Sequence, residues 1–292
     1  MDNWDHFLRR AEVLFDRIEA LLPPPAQQPA WDLSVAFVWR KRSGRGYLHP
    51  VRHRALVTFD DLHQIQIQKK QIEQNTRQFI SGRPANNVLL TGARGTGKSS
   101  LIKACLNQFV QQGLRLIEVD KNDLTDLSEI VELIAARPEK FIIFCDDLSF
   151  GEGECGYKAL KVALDGSIAA QSSNVLIYAT SNRRHLLPEQ QSDNAGYHRS
   201  ADGDLHPSET VEEKIALSER FGLWLSFYPF KQDDYLDIVM FWLDKLGCDA
   251  TTIEAAKTEA LRFALLRGSR SGRVANQFAR SYVGGLMGDD EI

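Results

Sequence analysis

Three glycines within six residues, Gly92, Gly95 and Gly97, lie between an apolar run and a helix-like segment in the stretch LLTGARGTGKSSLIKA, residues 89–104. Glycine reaches left-handed backbone angles without the steric clash that a Cβ atom causes. A loop with this freedom curls tightly and turns successive amide groups towards one centre. We therefore predict that this stretch wraps a polyphosphate.

The spacing of Gly92, Gly97, Lys98 and Ser99 matches GxxxxGK[ST], the Walker A pattern. Lys98 is expected to bridge the β- and γ-phosphates of ATP, and Ser99 to ligate Mg²⁺. The alternative is an ordinary glycine-rich turn, but the match lies between a buried strand and a helix, as a phosphate loop requires. The predicted nucleotide-binding residues are Gly92, Ala93, Arg94, Gly95, Thr96, Gly97, Lys98, Ser99 and Ser100.

The composition of the 292 residues is that of a globular protein, and it argues against several partners. A formal net charge of −4 gives no bulk attraction to nucleic acid or to an anionic membrane. No apolar run approaches the roughly 18–20 residues of a membrane span. The cysteines are scattered without a CxxC pair, so we expect reduced thiols, a cytoplasmic location and no structural metal. They are Cys105, Cys145, Cys155 and Cys248.

The order of apolar patterns predicts three regions. Residues 1–55 read as an N-terminal amphipathic helix followed by a basic hairpin. Residues 56–231 alternate strands with helices, which is typical of an α/β core with a parallel sheet between helices. Within this core, residues 188–210 are polar and without periodicity, and we interpret them as a long loop. Residues 232–292 are all-helical and read as a lid.

A second candidate group of site residues ends the strand FIIFCDD, residues 141–147. Asp146 is expected to hold the Mg²⁺ ion, and Asp147 to orient and deprotonate the attacking water. A simple Asx turn at the strand end is the alternative.

The stretch DKND, residues 120–123, faintly resembles the guanine-reading NKxD motif, but it precedes the acidic strand instead of following it. Adenine is therefore the expected base.

Together these residues resemble the AAA+ ATPases, a resemblance that covers about residues 56–290 and implies a P-loop NTPase fold. In that family a polar sensor 1 ends the next strand, and Asn182 of NVLIYATSN takes its place. Arg220, in SERFGLWLSF, matches the arginine finger that reaches the γ-phosphate of a neighbouring protomer. Arg273 matches the sensor 2 arginine of the lid, with Arg270 as the fallback. The alternatives are that Asn182 caps a helix and that the arginines are solvated surface charges.

Within AAA+, the acidic pair in DDL resembles bacterial replication initiators and helicase loaders. The segments PANNVLLTG, FCDDLSF and RSGRVANQF look more like a bacterial AAA+ family that carries a placeholder domain-of-unknown-function name. This resemblance implies ATP binding. Because Arg220 would complete the site of a neighbouring protomer, we expect a homo-oligomeric ATPase that drives conformational change on an unknown macromolecular partner, with a protein favoured over nucleic acid. Aspartate at position 147 is one methylene shorter than the usual glutamate, which favours slow turnover. The alternative is a nucleotide-gated binding or loader module with little hydrolysis.

Two further features of the sequence are basic. Residues 40–54 interleave basic and aromatic side chains, a composition that can bind single-stranded nucleic acid. Because the whole chain is acidic, we favour a hairpin that docks on the core or on a neighbouring subunit, with solvated charges. Arg183 and Arg184 follow sensor 1 directly, and they either contact phosphate across an interface or pair with Glu189.

Overall fold

The computed structural model describes residues 2–21, 29, 31–150, 155–165, 173–183, 198–199, 205–206 and 217–289. The strands are β1 (Ala36–Arg42), β2 (Arg45–Pro50), β3 (Val88–Gly92), β4 (Leu114–Glu118), β5 (Lys140–Cys145), β6 (Val175–Ser181), β7 (His198–Arg199), β8 (Leu205–His206) and β9 (Leu223–Phe227). The helices are α1 (Asp2–Leu21), α2 (Gln66–Ile80), α3 (Lys98–Phe109), α4 (Leu127–Ala135), α5 (Cys155–Asp165), α6 (Gln232–Lys245), α7 (Ala250–Leu266) and α8 (Gly272–Asp289). Within these described residues, no helix is long and apolar enough to cross a membrane.

Seven strands form one sheet in the order β2–β1–β4–β5–β6–β3–β9. Every neighbouring pair is parallel except β1 with β2, which are antiparallel. Residues 141–145 of β5 are all buried, without an alternation of exposed side chains. This pattern is expected for a parallel strand that is covered on both faces. The α/β fold class predicted from the sequence is therefore confirmed.

Two apolar layers cover the sheet, one on each face. Helices α2 and α3 and the C-terminal helices contribute to the first layer, through residues such as Ile72, Leu101 and Phe278. Helices α4 and α5 contribute to the second, through residues such as Ile130 and Leu160. Parallel strands need crossover connections, and these helices supply the cover that buries both faces.

The basic hairpin of β1 and β2 belongs to the main sheet, because β1 pairs with β4. Trp39 is buried, with 2% of its surface exposed, and its Nε1 donates a hydrogen bond of 2.9 Å to Asp126. Lys41 forms an ion pair with the same carboxylate. The tryptophan ring therefore packs into the core, as the docking interpretation predicted, and is not available for stacking on a base.

The segment before α2 differs from the sequence prediction. The sequence from Leu62 to Ile80 has a helical apolar pattern, but the helix begins at Gln66. Gln64 has a positive φ of 63°, which a continuous α-helix does not accommodate.

Most of the predicted loop at 188–210 lies outside the described residues. Within that range the structure describes only the short antiparallel pair β7–β8. The domain boundaries at 55 and 231 stay predictions.

Replacing Trp39 with phenylalanine tests how firmly the hairpin is anchored. The variant removes the hydrogen bond to Asp126 and leaves a small void, so we expect the free energy of unfolding to fall by about 1–3 kcal/mol. The matched control is Trp4→Phe, because Trp4 is 72% exposed and its replacement should cost less than about 0.5 kcal/mol. Urea unfolding followed by circular dichroism measures both. Equal effects at the two positions would contradict the anchoring role.

Candidate functional site

A cleft of about 710 Å³ lies at the carboxyl ends of β3, β5 and β6. One wall is built from residues that follow these strands, since the carboxyl ends of parallel strands meet at one sheet edge. The opposite wall comes from the segment 57–65 and from α6 and α8. The lining residues on the strand side are Arg94, Gly95, Thr96, Gly97, Lys98, Ser99, Ser100, Asp146, Asp147, Thr180 and Asn182.

The glycine-rich loop between β3 and α3 has the backbone angles that its sequence predicts. Gly92, Gly95 and Gly97 have φ values of 122°, 74° and 100°. At Gly92 an added Cβ would lie 1.9 Å from the carbonyl oxygen of Phe227 on β9. The loop therefore needs glycine here both for the backbone angle and for the close approach of the neighbouring strand.

Lys98 lies at the first position of α3 and folds back over the loop. Its Nζ donates hydrogen bonds to the carbonyl oxygens of Gly92 (2.8 Å) and Ala93 (2.7 Å), and to the Asn182 side chain (3.1 Å). Only 6% of the residue is exposed. Burial lowers the pKa of Lys98 from 10.5 to about 8, against the opposing effect of the nearby Asp147 carboxylate. The amine is therefore mostly charged at neutral pH, and a bound anion would favour the charged form further.

Ser99 and Asp146 are in direct contact across the cleft. The Ser99 hydroxyl donates a hydrogen bond of 2.6 Å to the Asp146 carboxylate. Hydroxyl and carboxylate oxygens are the protein ligands that Mg²⁺ prefers, and that ion is commonly held by one or two such groups together with substrate phosphates. This pair fits that role. In the described part of the chain, no group of three or more His, Cys, Asp or Glu side chains could hold a metal without such help.

Asp147 and Asn182 extend the polar network towards Lys98. Asp147 has a positive φ of 51°, which aspartate tolerates better than most residues. The Asn182 amide donates to the Asp147 carboxylate, and its carbonyl oxygen accepts from Lys98. One side chain thus connects the lysine of the loop with the second acidic residue. Arg183, next along the chain, is exposed, and Arg184 lies outside the described residues.

The start of α8 packs directly on the glycine-rich loop. The backbone amide of Arg273 donates to the Gly95 carbonyl oxygen at 3.3 Å, and Arg273 lines the cleft. Arg270, the fallback candidate, lines a separate pocket instead. Sequence analysis missed Arg280, which also lines the cleft. Its signal was the interval of seven residues from Arg273, which places two side chains on one helix face.

The segment 57–65 forms the outer wall of the cleft and was also missed. It is held against α6 by an ion pair between Asp61 and Lys245. The His63 ring packs on Phe241 with centroids 4.0 Å apart. Burial lowers the pKa of His63 below its usual value of 6.5, so the imidazole is neutral at neutral pH. Apolar side chains complete this end of the cleft: Val57, Leu62, Ile65, Ile238 and Trp242.

Arg220 does not belong to the wall of this cleft. Its Nε donates a hydrogen bond of 2.6 Å to Asp165 at the end of α5. The residue precedes β9, whose first residue pairs with the amino end of β3, whereas the glycine-rich loop follows the carboxyl end. The length of β3 separates the two, about 13 Å at ~3.3 Å per residue.

Residues 32–286 match a protein family that is described as "Protein of unknown function (DUF815)". The chain belongs to this family. No match was found among curated protein sequences.

The DUF815 chain is similar in structure to AAA+ proteins. It superposes on the FIGL-1 AAA domain in complex with ADP with a TM-score of 0.51 and 18% identity, covering 82% of this chain and 77% of that one. For Aeropyrum pernix ORC1 in complex with DNA the TM-score is 0.53 with 14% identity, covering 79% and 62%. For a Thermotoga maritima RuvB variant the TM-score is 0.47 with 16% identity, covering 78% and 65%. The chain thus spans less than two thirds of the RuvB and ORC1 chains. The predicted AAA+ P-loop fold is confirmed.

The DUF815 site contains one further polar residue that sequence analysis missed, Thr180 of β6. Its hydroxyl donates to Asp146 at 2.6 Å and accepts from the backbone amide of Asp147 at 2.9 Å. Only 2% of the residue is exposed. Thr180 therefore connects the two acidic residues to the neighbouring strand. The pairing of β5 with β6 creates this contact, and no sequence spacing indicates it.

Replacing Gly92 with alanine in the DUF815 protein tests the close approach of β3 and β9. The new Cβ would meet the Phe227 carbonyl oxygen, so the strands must separate at the start of the loop. Gly82→Ala is the matched control, because Gly82 also has a positive φ (69°) but nothing within 4 Å. We expect Gly92→Ala to cost at least about 2 kcal/mol more of unfolding free energy than the control. Urea titration checks this difference, and equal losses would show that only the backbone angle matters.

Proposed function

We propose that this DUF815 protein binds Mg·ATP in the cleft and hydrolyses it where two protomers meet. The observation that carries the proposal is the position of Lys98. It lies within a curled glycine loop and is connected through Asn182 to Asp147, while Ser99 contacts Asp146 beside it. Lysine, hydroxyl, two carboxylates and an amide around one loop are the groups that phosphoryl transfer requires.

The triphosphate would lie along the glycine-rich loop, where the backbone amides and the start of α3 favour negative charge. Lys98 would exchange its carbonyl partners for phosphate oxygens, and Arg94 and Arg273 would add positive charge from the two sides. The base would lie at the apolar end of the cleft, beside Val57 and Trp242, where adenine is recognised by packing and backbone groups.

Ser99 and Asp146 would hold the Mg²⁺ ion that arrives with the nucleotide. When bound, that ion neutralises the negative charge which develops on the transferred phosphoryl group. Asp147 would accept the proton of the attacking water, and Asn182 would orient that water. Thr180 would act as a positioning residue, because its hydroxyl contacts both Asp146 and the Asp147 backbone.

Arg220 would complete the site of a neighbouring protomer. It lies near the amino end of β3, too far from the loop of its own chain to reach a γ-phosphate there. An arginine supplied from a second chain stabilises the transition state in many NTPases. This arrangement requires a homo-oligomer, and nucleotide turnover would change the contact between its subunits.

The energy of turnover would act on a protein partner. The basic hairpin does not favour nucleic acid, because Trp39 is buried. All four cysteines are free thiols, which suits the cytoplasmic location that we propose.

A second candidate function is a nucleotide-gated binding module with little hydrolysis. The short Asp147 side chain favours it, since it already bonds Asn182 and has little reach towards a water.

The Lys98→Gln variant tests the phosphate site. It removes the only lysine among the described residues that line the cleft, so we expect Mg·ATP to bind at least about tenfold more weakly and phosphate release to stop. Lys103→Gln on the same helix is the matched control, because Lys103 lies outside the cleft lining. Calorimetry measures binding, and a phosphate-release assay at several protein concentrations measures turnover.

The outcomes of this test separate the two candidate functions. Concentration-dependent phosphate release that is lost in Lys98→Gln and kept in Lys103→Gln supports the ATPase. Tight binding without phosphate release supports the gated module. Absence of Mg·ATP binding by the unsubstituted protein overturns both.

Mixing two inactive variants tests the contribution of Arg220 from a neighbouring chain. Arg220→Ala keeps an intact loop, and Lys98→Gln keeps the arginine, so some interfaces in the mixture regain both groups. Random assembly of equal amounts should restore about a quarter of the sites. Steady-state phosphate release measures the recovery.

The control for this mixing experiment is Asp165→Asn, which removes the partner of Arg220 but keeps the guanidinium. It should remain active if Arg220 acts on a neighbour. Full activity of Arg220→Ala alone, or no recovery on mixing, would contradict the proposed role.

A further inference from the structure

A second cavity, of about 670 Å³, lies near the amino ends of β1 and β4. The nucleotide cleft, by contrast, lies at the carboxyl ends of β3, β5 and β6. The second cavity is built where β1 and β4 begin and where the chain leaves β2. Its apolar lining residues are Trp31, Leu33, Val35, Val51 and Leu56. Its charged lining residues are Asp32, Arg52, Arg54 and Arg115, together with His53.

Two arginines in this cavity have buried donors without partners. The Nε atoms of Arg54 and Arg115 are inaccessible, and neither has a hydrogen-bond partner among the described residues. Native proteins seldom leave buried N–H groups unpaired, and each case requires a physical explanation. Both side chains line the cavity, so a hydrogen-bond acceptor bound there would satisfy these donors after a small shift of either side chain.

The positive charge of the cavity is not neutralised by the carboxylates around it. Arg115 donates one hydrogen bond, from Nη1 to the Leu114 carbonyl oxygen at 3.0 Å. Glu139 is nearby, but both of its oxygens already bond Arg137, at 2.6 Å and 3.0 Å. Asp32 is exposed. An anion entering the cavity would therefore meet an excess of positive charge.

We propose that this cavity binds a small phosphorylated molecule with an apolar body. The arginine forks match the tetrahedral oxygens of a phosphate monoester, and a partly buried site strengthens such charge-assisted bonds. Leu33 and Leu56 are 71% and 75% exposed, and they provide apolar surface beside the charges for the rest of the ligand. The cavity volume is in the usual range for small-molecule sites, about 300–1,000 Å³.

The position of this site connects it with the nucleotide cleft. Leu56 lines the second cavity and the next residue, Val57, lines the cleft. Asn107 of α3 holds this segment through hydrogen bonds of 2.9 Å and 2.8 Å to the carbonyl oxygens of Ala55 and Val57. The other end of α3 begins directly after the glycine-rich loop. A ligand that orders residues 54–57 would therefore act on a wall of the cleft.

Phenyl phosphate is a suitable probe, with inorganic phosphate and phenol as its two halves. Calorimetry on the full chain should give a dissociation constant for phenyl phosphate below about 1 mM, and weaker binding of each half. Arg54→Gln and Arg115→Gln should each weaken it at least about tenfold. Arg42→Gln, on the exposed hairpin turn, is the matched control and should bind as the unsubstituted protein does. Repeating the titration in Lys98→Gln excludes binding at the glycine loop.

A further variant, Arg115→Lys, keeps the positive charge but lacks the Nε donor. Thermal unfolding checks that each variant is folded. An intermediate loss for Arg115→Lys supports a site built on the guanidinium fork. The proposal is overturned if folded Arg54→Gln and Arg115→Gln bind as tightly as the control, or if binding disappears in Lys98→Gln. It is also overturned if only a single-stranded oligonucleotide binds, since that outcome assigns the arginines to a nucleic-acid surface.

Discussion

The parallel pairing of β3, β5 and β6 is the constraint on which the cleft beside the glycine-rich loop depends. It brings three carboxyl ends to one sheet edge, so residues far apart in sequence become neighbours. The glycine loop follows β3, the acidic pair follows β5, and Asn182 follows β6. The close approach of Phe227 to Gly92 on the other side then fixes the direction in which the loop leaves the sheet. Helix α8 packs on that loop, where the Arg273 amide donates to the Gly95 carbonyl oxygen.

A continuous set of hydrogen bonds then joins these strand ends. Thr180 bonds the carboxylate of Asp146 and the backbone of Asp147, while Asn182 joins Asp147 to Lys98. The network is partly buried, so its electrostatic interactions are stronger than they would be in water. A change at one member, such as phosphate binding at Lys98, would alter the partners of the others. In the proposed function, this coupling would be a physical route from nucleotide binding to the acidic residues.

Local patterns were enough to predict the loop, the strands and the fold class, because glycine spacing and apolar runs reflect short-range constraints. The phosphate-loop pattern also indicated that the acid which follows β5, Asp146, belongs to the same site, whereas Asn182 was indicated by the resemblance to the AAA+ ATPases. Thr180 and the segment 57–65 could not be predicted in this way. Their roles arise from the packing of β6 beside β5 and of α6 against the segment, and such long-range contacts leave no characteristic spacing in the sequence.

The central claim is that the loop amides and Lys98 hold a triphosphate, and the amide signals of the loop test it most directly. Nuclear magnetic resonance of protein isotope-labelled at glycine can be recorded during titration with Mg·ATP. The account predicts large shifts for Gly95 and Gly97, and little change for Gly113 at the far end of α3. Saturable Mg·ATP binding that leaves Gly95 and Gly97 unshifted would contradict it.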